Sequence, residues 1–145
     1  MGSTAIYALR DAHMHDLHFL FGVIVAIRQS KEIFDWGTEF RKFKENFEPS
    51  KVQIIQHQAR DVGRLRVVRS KESIYVGGIQ LLPASQHRGI GSAIFADLIR
   101  ESEQARIPIT LEVFEKNPAF RFYTRLGFVQ VGTIKNAKKL IRHVT

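Results

Sequence analysis

Leu81-Leu82-Pro83-Ala84-Ser85-Gln86-His87-Arg88-Gly89-Ile90-Gly91-Ser92 is followed at once by an amphipathic run, and the change of pattern inside this stretch decides the fold class. An apolar strand runs into a polar turn, two glycines stand one residue apart, and a helix begins. After the turn Ile90, Ala93, Ile94 and Leu98 recur at three- and four-residue spacing with Asp97, Arg100, Glu101 and Glu103 between them, the pattern of a helix packed on one side. The first N–H groups of such a helix lack an intrahelical acceptor, so several backbone donors converge on the loop and suit a phosphate. Gly89 and Gly91 let the backbone turn tightly and let a ligand approach it, and Arg88 adds a fixed positive charge.

Two familiar phosphate loops do not fit. A Walker loop needs a Lys-Ser/Thr pair after its last glycine, where this chain has Ser92-Ala93. A dinucleotide fingerprint needs a third small residue where Ile94 stands. What remains is a Gln-x-x-Gly-x-Gly loop, a weak signal alone. A second signal begins at Asn117: Asn117-Pro118-Ala119-Phe120-Arg121-Phe122-Tyr123-Thr124-Arg125-Leu126-Gly127-Phe128. Asn117 reads as an N-cap, Pro118 as the first helical residue and Leu126-Gly127 as a stop, after a strand in which Ile109, Leu111 and Val113 alternate with Thr110 and Glu112.

Together, Gln86-x-x-Gly89-x-Gly91 and Asn117-Pro118-Ala119-x-x-Phe122-Tyr123-x-x-x-Gly127-Phe128 resemble the GNAT superfamily of acetyl-CoA-dependent N-acetyltransferases. The resemblance implies an α/β (α+β) fold: a mixed, mostly antiparallel sheet of six or seven strands with a central splay, flanked by about four helices. It implies acetyl-CoA as co-substrate, with its pantetheine arm in the splay beside the backbone of Leu81 and Leu82. The loop of Gln86, His87, Arg88, Gly89, Ile90, Gly91 and Ser92 would take the pyrophosphate, and the Leu81 N–H would face the oxyanion. Asn117, a cap by its type, would also touch the arm. Tyr123 matches the tyrosine that protonates the departing thiolate, and a phenol with pKa near 10 holds its proton at neutral pH. Gly77-Gly78 inside a strand fits the distortion at a splay, since paired glycines mark a bulge or a close backbone approach.

The chain of 145 residues is expected to be one domain, residues 1–145, able to bury a core without staples. It has no cysteine, which excludes disulfides, thiolate metal sites and a cysteine nucleophile. The run Phe19 to Ile27 is too short to span a bilayer, and a soluble cytoplasmic protein is expected. The net charge of +8 favours polyanions. Part of it could serve coenzyme A, but Arg60, Arg64, Arg66, Arg69 and Lys71, and later Lys135, Lys138, Lys139 and Arg142, lie away from the loop. Arg64 and Arg66 alternate with Leu65 and Val67 as the wet face of a strand, or else they meet an acidic substrate or partner. A nucleic-acid module rests on charge alone and leaves both motifs unexplained.

Periodicity predicts strands over Ala5–Arg10, Val52–Gln56, Gly63–Arg69, Ser73–Leu82, Ile107–Phe114, Phe128–Thr133 and Lys138–His143, and helices over His15–Gln29, Glu39–Asn46, Gly89–Gln104 and Pro118–Leu126. In many relatives a glutamate on the strand before the loop deprotonates the amine, whereas Ile74 to Gln80 holds no carboxylate. Water oriented by Gln80, or Glu112, Glu32, Asp35 or Glu39, remain candidates, and no base is assigned. His13, His15 and His18 lack the carboxylate or cysteine that would complete a ligand set, so no metal is expected. In the aromatic segment that begins at Phe34, Phe40, Phe43 and Phe47 read as core, and Trp36, beside Gly37 in a loop, reads as a substrate contact. The function expected is direct acetyl transfer to a primary amine of a small molecule or peptide, with a non-catalytic acetyl-CoA sensor as the alternative. Neither nucleic acid nor membrane is an expected partner, and a homodimer is compatible.

Overall fold

The computed structural model describes residues 5–27 and 35–145. Seven strands, Ala8–Asp11 (β1), Gln53–His57 (β2), Arg60–Arg69 (β3), Ile74–Leu81 (β4), Ile109–Phe114 (β5), Val129–Ile134 (β6) and Ala137–Arg142 (β7), form one sheet in the order β1-β2-β3-β4-β5-β7-β6. Four α-helices occur among the described residues: Leu17–Ile27 (α1), Trp36–Glu45 (α2), Ile90–Ala105 (α3) and Phe120–Arg125 (α4). The pairs β1–β2, β2–β3, β5–β7 and β6–β7 are antiparallel and β4–β5 is parallel, as expected of the mixed sheet. The first helix is preceded by a 3-10 turn, Met14–Asp16, and the end predicted for it, at residues 28–29, lies outside the described residues.

The chain divides into two compact units. The first comprises the described part of Met1–Arg66 together with Gly78–Ala93. Ile54 and Ile55 of β2 are fully buried, and Ile54 joins Ala12, Leu20 and Val52 in a cluster against which Phe19, Phe43 and Phe47 pack. The β2–β3 register shifts between Ile55, opposite Gly63, and Gln56, opposite Asp61, so Val62 is the extra residue of a bulge. Arg10 ties this region together: its guanidinium donates to Asp16 at 2.7 and 3.0 Å and to Asp61 at 2.8 and 3.3 Å. Asp16 is buried, also accepts from the His13 N–H, and its carboxyl is held down at about 2, first by the Arg10 hydrogen bond.

Gly63 marks a close backbone approach in this unit. A Cβ there would lie 2.2 Å from the Gln80 carbonyl oxygen and 3.1 Å from Leu81 Cα, so no side chain fits between β3 and the end of β4. The Leu82 N–H donates to Val62 O at 2.8 Å and closes the same contact.

The second unit comprises Val67–Gly77 and Ile94–Thr145. Its parallel pairing is short: Ile74, Tyr75 and Val76 of β4 face Ile109, Thr110 and Leu111 of β5. β5 then pairs with β7 over its whole length, from Ile109↔Arg142 to Phe114↔Ala137. α3 ends where Arg106 takes a positive φ of 61° and the Ile107 N–H reaches back to Ser102 O, a Schellman stop built without glycine. Phe95 of α3 is fully buried and meets Phe122, Tyr123 and Phe128 edge-on at 5.3–6.1 Å. Arg142 donates to Leu126 O at 2.8 Å and to Glu103 at 3.0 Å, linking β7 to α4 and α3.

Two outcomes are expected of stability measurements. Gly63→Ala should cost about 3 kcal/mol in urea unfolding, because the methyl group meets backbone that cannot rotate away. Asp16 should make stability fall in acid: its folded carboxyl titrates at about 2 and its unfolded one near 4, so the unfolded state binds more protons in between. The contribution, roughly 2 kcal/mol, is complete above about pH 5 and is lost as the pH falls toward 2. Asp16→Asn should flatten that part of the pH profile.

Candidate functional site

The stretch read from sequence as a phosphate loop is built from β4 outward. After Leu81 the chain makes a 3-10 turn over Pro83–Ser85, and the Ser85 N–H returns to Leu82 O. The Leu82 N–H is therefore committed within the protein, while its carbonyl, which accepts one bond from Ser85, keeps a second lone pair. Alternation along a strand turns the Leu81 N–H to the edge opposite the Leu82 N–H. The Leu81 carbonyl accepts from Gln86 Nε2 at 3.0 Å, so Gln86 braces the loop against the strand end.

His87 and Gly89 have positive φ, 61° and 83°, and this pair of left-handed residues reverses the chain into α3. The Arg88 Nε donates to Ala84 O at 3.0 Å across the turn. The first intrahelical bond runs from the Ala93 N–H to Gly89 O, which leaves the N–H groups of Ile90, Gly91 and Ser92 without an acceptor inside the helix. The Ile90 side chain is fully buried, so its contribution to a ligand is its N–H alone. Ser92 is exposed, and a Cβ on Gly91 would meet no atom within 4 Å. Gly91 is thus not required by packing; it leaves the mouth of the helix open. Donors directed outward with the positive end of a 16-residue helix behind them favour an anion.

Tyr123 of α4 is buried to 7% exposure, and its ring is wedged between Phe95, Phe122 and Phe128 at 5.3–5.6 Å. Its hydroxyl has no hydrogen-bond partner among the described residues and is not sealed from solvent. Burial pushes the phenol up to about 12, so it holds its proton throughout the neutral range and can donate it. Asn117 does not cap α4. Its Oδ1 accepts from the Ala119 N–H at 2.9 Å in a turn that precedes the helix, and Ala119 stands at the N-cap without a side-chain bond. The turn bonds locally first, which delays the helix from Pro118 to Phe120. Leu81, Leu82 and Gln86–Ser92 belong to the first unit, Asn117 and Tyr123 to the second.

β4 runs unbroken through Gly77 and Gly78, and the feature at that point is the end of pairing with β5 after Val76. Of the candidates for a base, Asp35 is the N-cap of α2, accepting from the Gly37 and Thr38 N–H groups and from the Thr38 hydroxyl, which hold its carboxyl below the usual range. Glu112 accepts from the Tyr75 hydroxyl at 3.3 Å. Glu39 lies in the first turn of α2, and Glu32, like Phe34, lies outside the described residues. Gln80 Oε1 accepts from Arg64 at 2.5 Å. Trp36 is the first residue of α2 rather than part of a loop, half-exposed and edge-on to Phe21 at 6.3 Å. No α2 residue is buried, so Phe40 and Phe43, read as core with Phe47, are only partly so: Phe40 stacks on His18 at 5.0 Å, and Phe43 and Phe47 line a cavity. His13 stacks on His15.

The basic clusters separate by partner. Arg69 pairs with Glu101 and Arg142 with Glu103, whereas Lys138 lies 4.0 Å over the Phe120 ring. Arg64 is the residue that sequence reasoning undervalued: it is half-buried rather than wet, and Gly78, where a Cβ would lie 3.1 Å from its Nη1, makes room for it. The available signal was an arginine alternating with core residues near paired glycines. No helix among the described residues is long and apolar enough to cross a membrane.

Comparison with known proteins agrees with this architecture. No curated protein sequence matches the chain. Among solved structures, PH1933 from Pyrococcus horikoshii OT3 superimposes with a TM-score of 0.74 at 18% identity, covering 96% of this chain and 99% of that one. The PaiA N-acetyltransferase from Thermoplasma acidophilum, in complex with coenzyme A, gives 0.71 at 17% identity, covering 94% and 98%. Naa50 from Arabidopsis thaliana, in complex with the bisubstrate analogue CoA-Ac-MVNAL, gives 0.65 at 15% identity, covering 94% and 97%. At such identities the likeness is one of fold. The family model for the acetyltransferase (GNAT) domain matches residues 25–145, and the chain belongs to that family.

Proposed function

We propose that the protein transfers an acetyl group from acetyl-CoA directly to a primary amine. The observation that carries this reading is the loop before α3, where three N–H groups without intrahelical acceptors open onto the space left by Gly91. Membership of the GNAT family supports coenzyme A as the anion that fills it, and the coenzyme bound by the Thermoplasma acidophilum PaiA enzyme supports the same choice. In this reading Gln86 to Ser92 hold the pyrophosphate, the Leu81 N–H steadies the oxyanion, and Tyr123 protonates the departing thiolate. Asn117 lies beside the arm through its backbone turn. The amine attacks the thioester carbonyl, the C–S bond breaks, and the acetyl group leaves on nitrogen with no acyl-enzyme.

A second reading, an acetyl-CoA sensor that does not turn over, is favoured by the lack of a carboxylate on β4 and by the commitment of Asp35 to a helix cap. The two share a binding step and differ in thiol release.

Acetyl-CoA at about a hundred times its dissociation constant should stabilise the protein by about 2.7 kcal/mol and raise its melting temperature by roughly 5–10 °C. Gly91→Glu should keep or raise the melting temperature of the free protein and abolish that shift, since the site has room but acquires a charge that repels a phosphate. Gly89→Ala should instead lower the melting temperature itself by about 1 kcal/mol of stability, because φ is positive there. The absence of any shift in the parent protein sinks the proposal. Tyr123→Phe should retain the shift and slow thiol release roughly a hundredfold in an amine panel. An unchanged rate removes Tyr123 from the chemistry, and a shift without turnover by any amine selects the sensor.

A further inference from the structure

A cavity of about 270 Å³ in the first unit carries charge that the transfer step does not use. Leu20 of α1, Phe43 of α2 and Phe47, two residues beyond the end of α2, form its apolar side. Its charged side is Lys51, Arg64 and Arg66 against the single carboxylate of Glu48, which lies 2.9 Å from Lys51. Arg64 is opposite Ile54 in the β2–β3 register and therefore shares the face of the sheet on which Ile54 is buried. Neither Arg64 nor Arg66 meets a carboxylate among the described residues. Among the described residues the hydrogen-bond partner of Arg64 is the neutral Gln80 amide, and burial beside Arg66 lowers its affinity for its own proton, although a guanidinium stays charged at neutral pH.

A half-buried cation without an anion is costly, and the forked donors of two adjacent arginines match a carboxylate in shape and charge. The volume suits a molecule of amino-acid size, and the aromatic side suits its carbon chain. We propose that this cavity is the acceptor pocket and takes an amine that also carries a carboxylate, the carboxylate lying against Arg64 and Arg66. The assignment to the acceptor rests on the acetyltransferase reading; the assignment of an anion rests on the cavity alone.

Two measurements separate those foundations. In the first, thiol release from acetyl-CoA is compared for amino carboxylic acids and their carboxamides. The acid should exceed its amide at least about tenfold in kcat/KM for one or more pairs, the worth of a charge-assisted hydrogen bond. Arg64→Gln and Arg66→Gln should each bring that ratio close to one while keeping the acetyl-CoA shift in melting temperature. Equal use of acids and amides by the parent protein, or a preference untouched in both variants, overturns the proposal. The second measurement needs no turnover: the Arg Nε–H resonances are followed by NMR as succinate, inorganic phosphate or chloride is added at constant ionic strength. Succinate should shift the Arg64 signal saturably, and Arg66→Gln should weaken that response. Absence of saturation overturns the anion site, and tighter binding of phosphate than of succinate overturns the choice of carboxylate. A protein that answers succinate but shows neither an acetyl-CoA shift nor turnover overturns the transferase reading and the acceptor assignment with it, and supports the anion site.

Discussion

The contact of Gly63 with the Gln80–Leu81 backbone is the constraint on which the candidate site depends. With β3 this close to the end of β4, Leu82 is fixed by its bond to Val62, and the chain must leave the strand at that residue. The 3-10 turn, the Gln86 brace on Leu81 O and the left-handed pair His87 and Gly89 then follow in so few residues that the start of α3 has little freedom. The same contact sets Arg64 beside Gln80, so the donors of the loop and one arginine of the cavity are positioned by one backbone approach.

The loop and the cavity show opposite uses of glycine. At Gly63 the missing side chain is filled by protein, and at Gly91 it is filled by nothing. A fold requires the first kind. The second kind is neutral or unfavourable for folding, since glycine weakens a helix, and is understood by what approaches the backbone from outside. Tyr123 shows a comparable division within one side chain: three aromatic rings hold the phenol ring, and the hydroxyl they leave open is shifted away from ionisation by the same burial.

Much of this was legible in the sequence because it is written in local patterns. The 3.6-residue period after Gly89 located α3 to within one residue at each end, and the alternation of Ile109, Leu111 and Val113 located β5. Competing local bonds were harder to rank. Asn117 is a good cap by type, yet its carbonyl bonds the Ala119 N–H first, and Asp35 rather than a loop stands before Trp36 because its carboxylate collects two N–H groups. Arg64 was illegible for a different reason. Alternation assigns a face but not what covers that face, and here α1 and α2 cover it with aromatic rings instead of water.

The missing carboxylate on β4 and the surplus of arginine bear on the same chemical problem. An amine must lose its proton before it attacks, and a protein can promote that either with a base or by making the ammonium form unfavourable. Like charge does the latter, since nearby cations lower the pKa of an amine. Lys51, Arg64 and Arg66 outnumber Glu48 in the cavity lining, so a substrate carboxylate neutralises part of the charge and leaves an excess that still disfavours the ammonium ion. Water can then carry the released proton away. On this argument the absence of a carboxylate from β4 is consistent with the rest of the site. A carboxylate at residue 80, beside Arg64, would be tied up in an ion pair, its pKa lowered and its value as a base reduced.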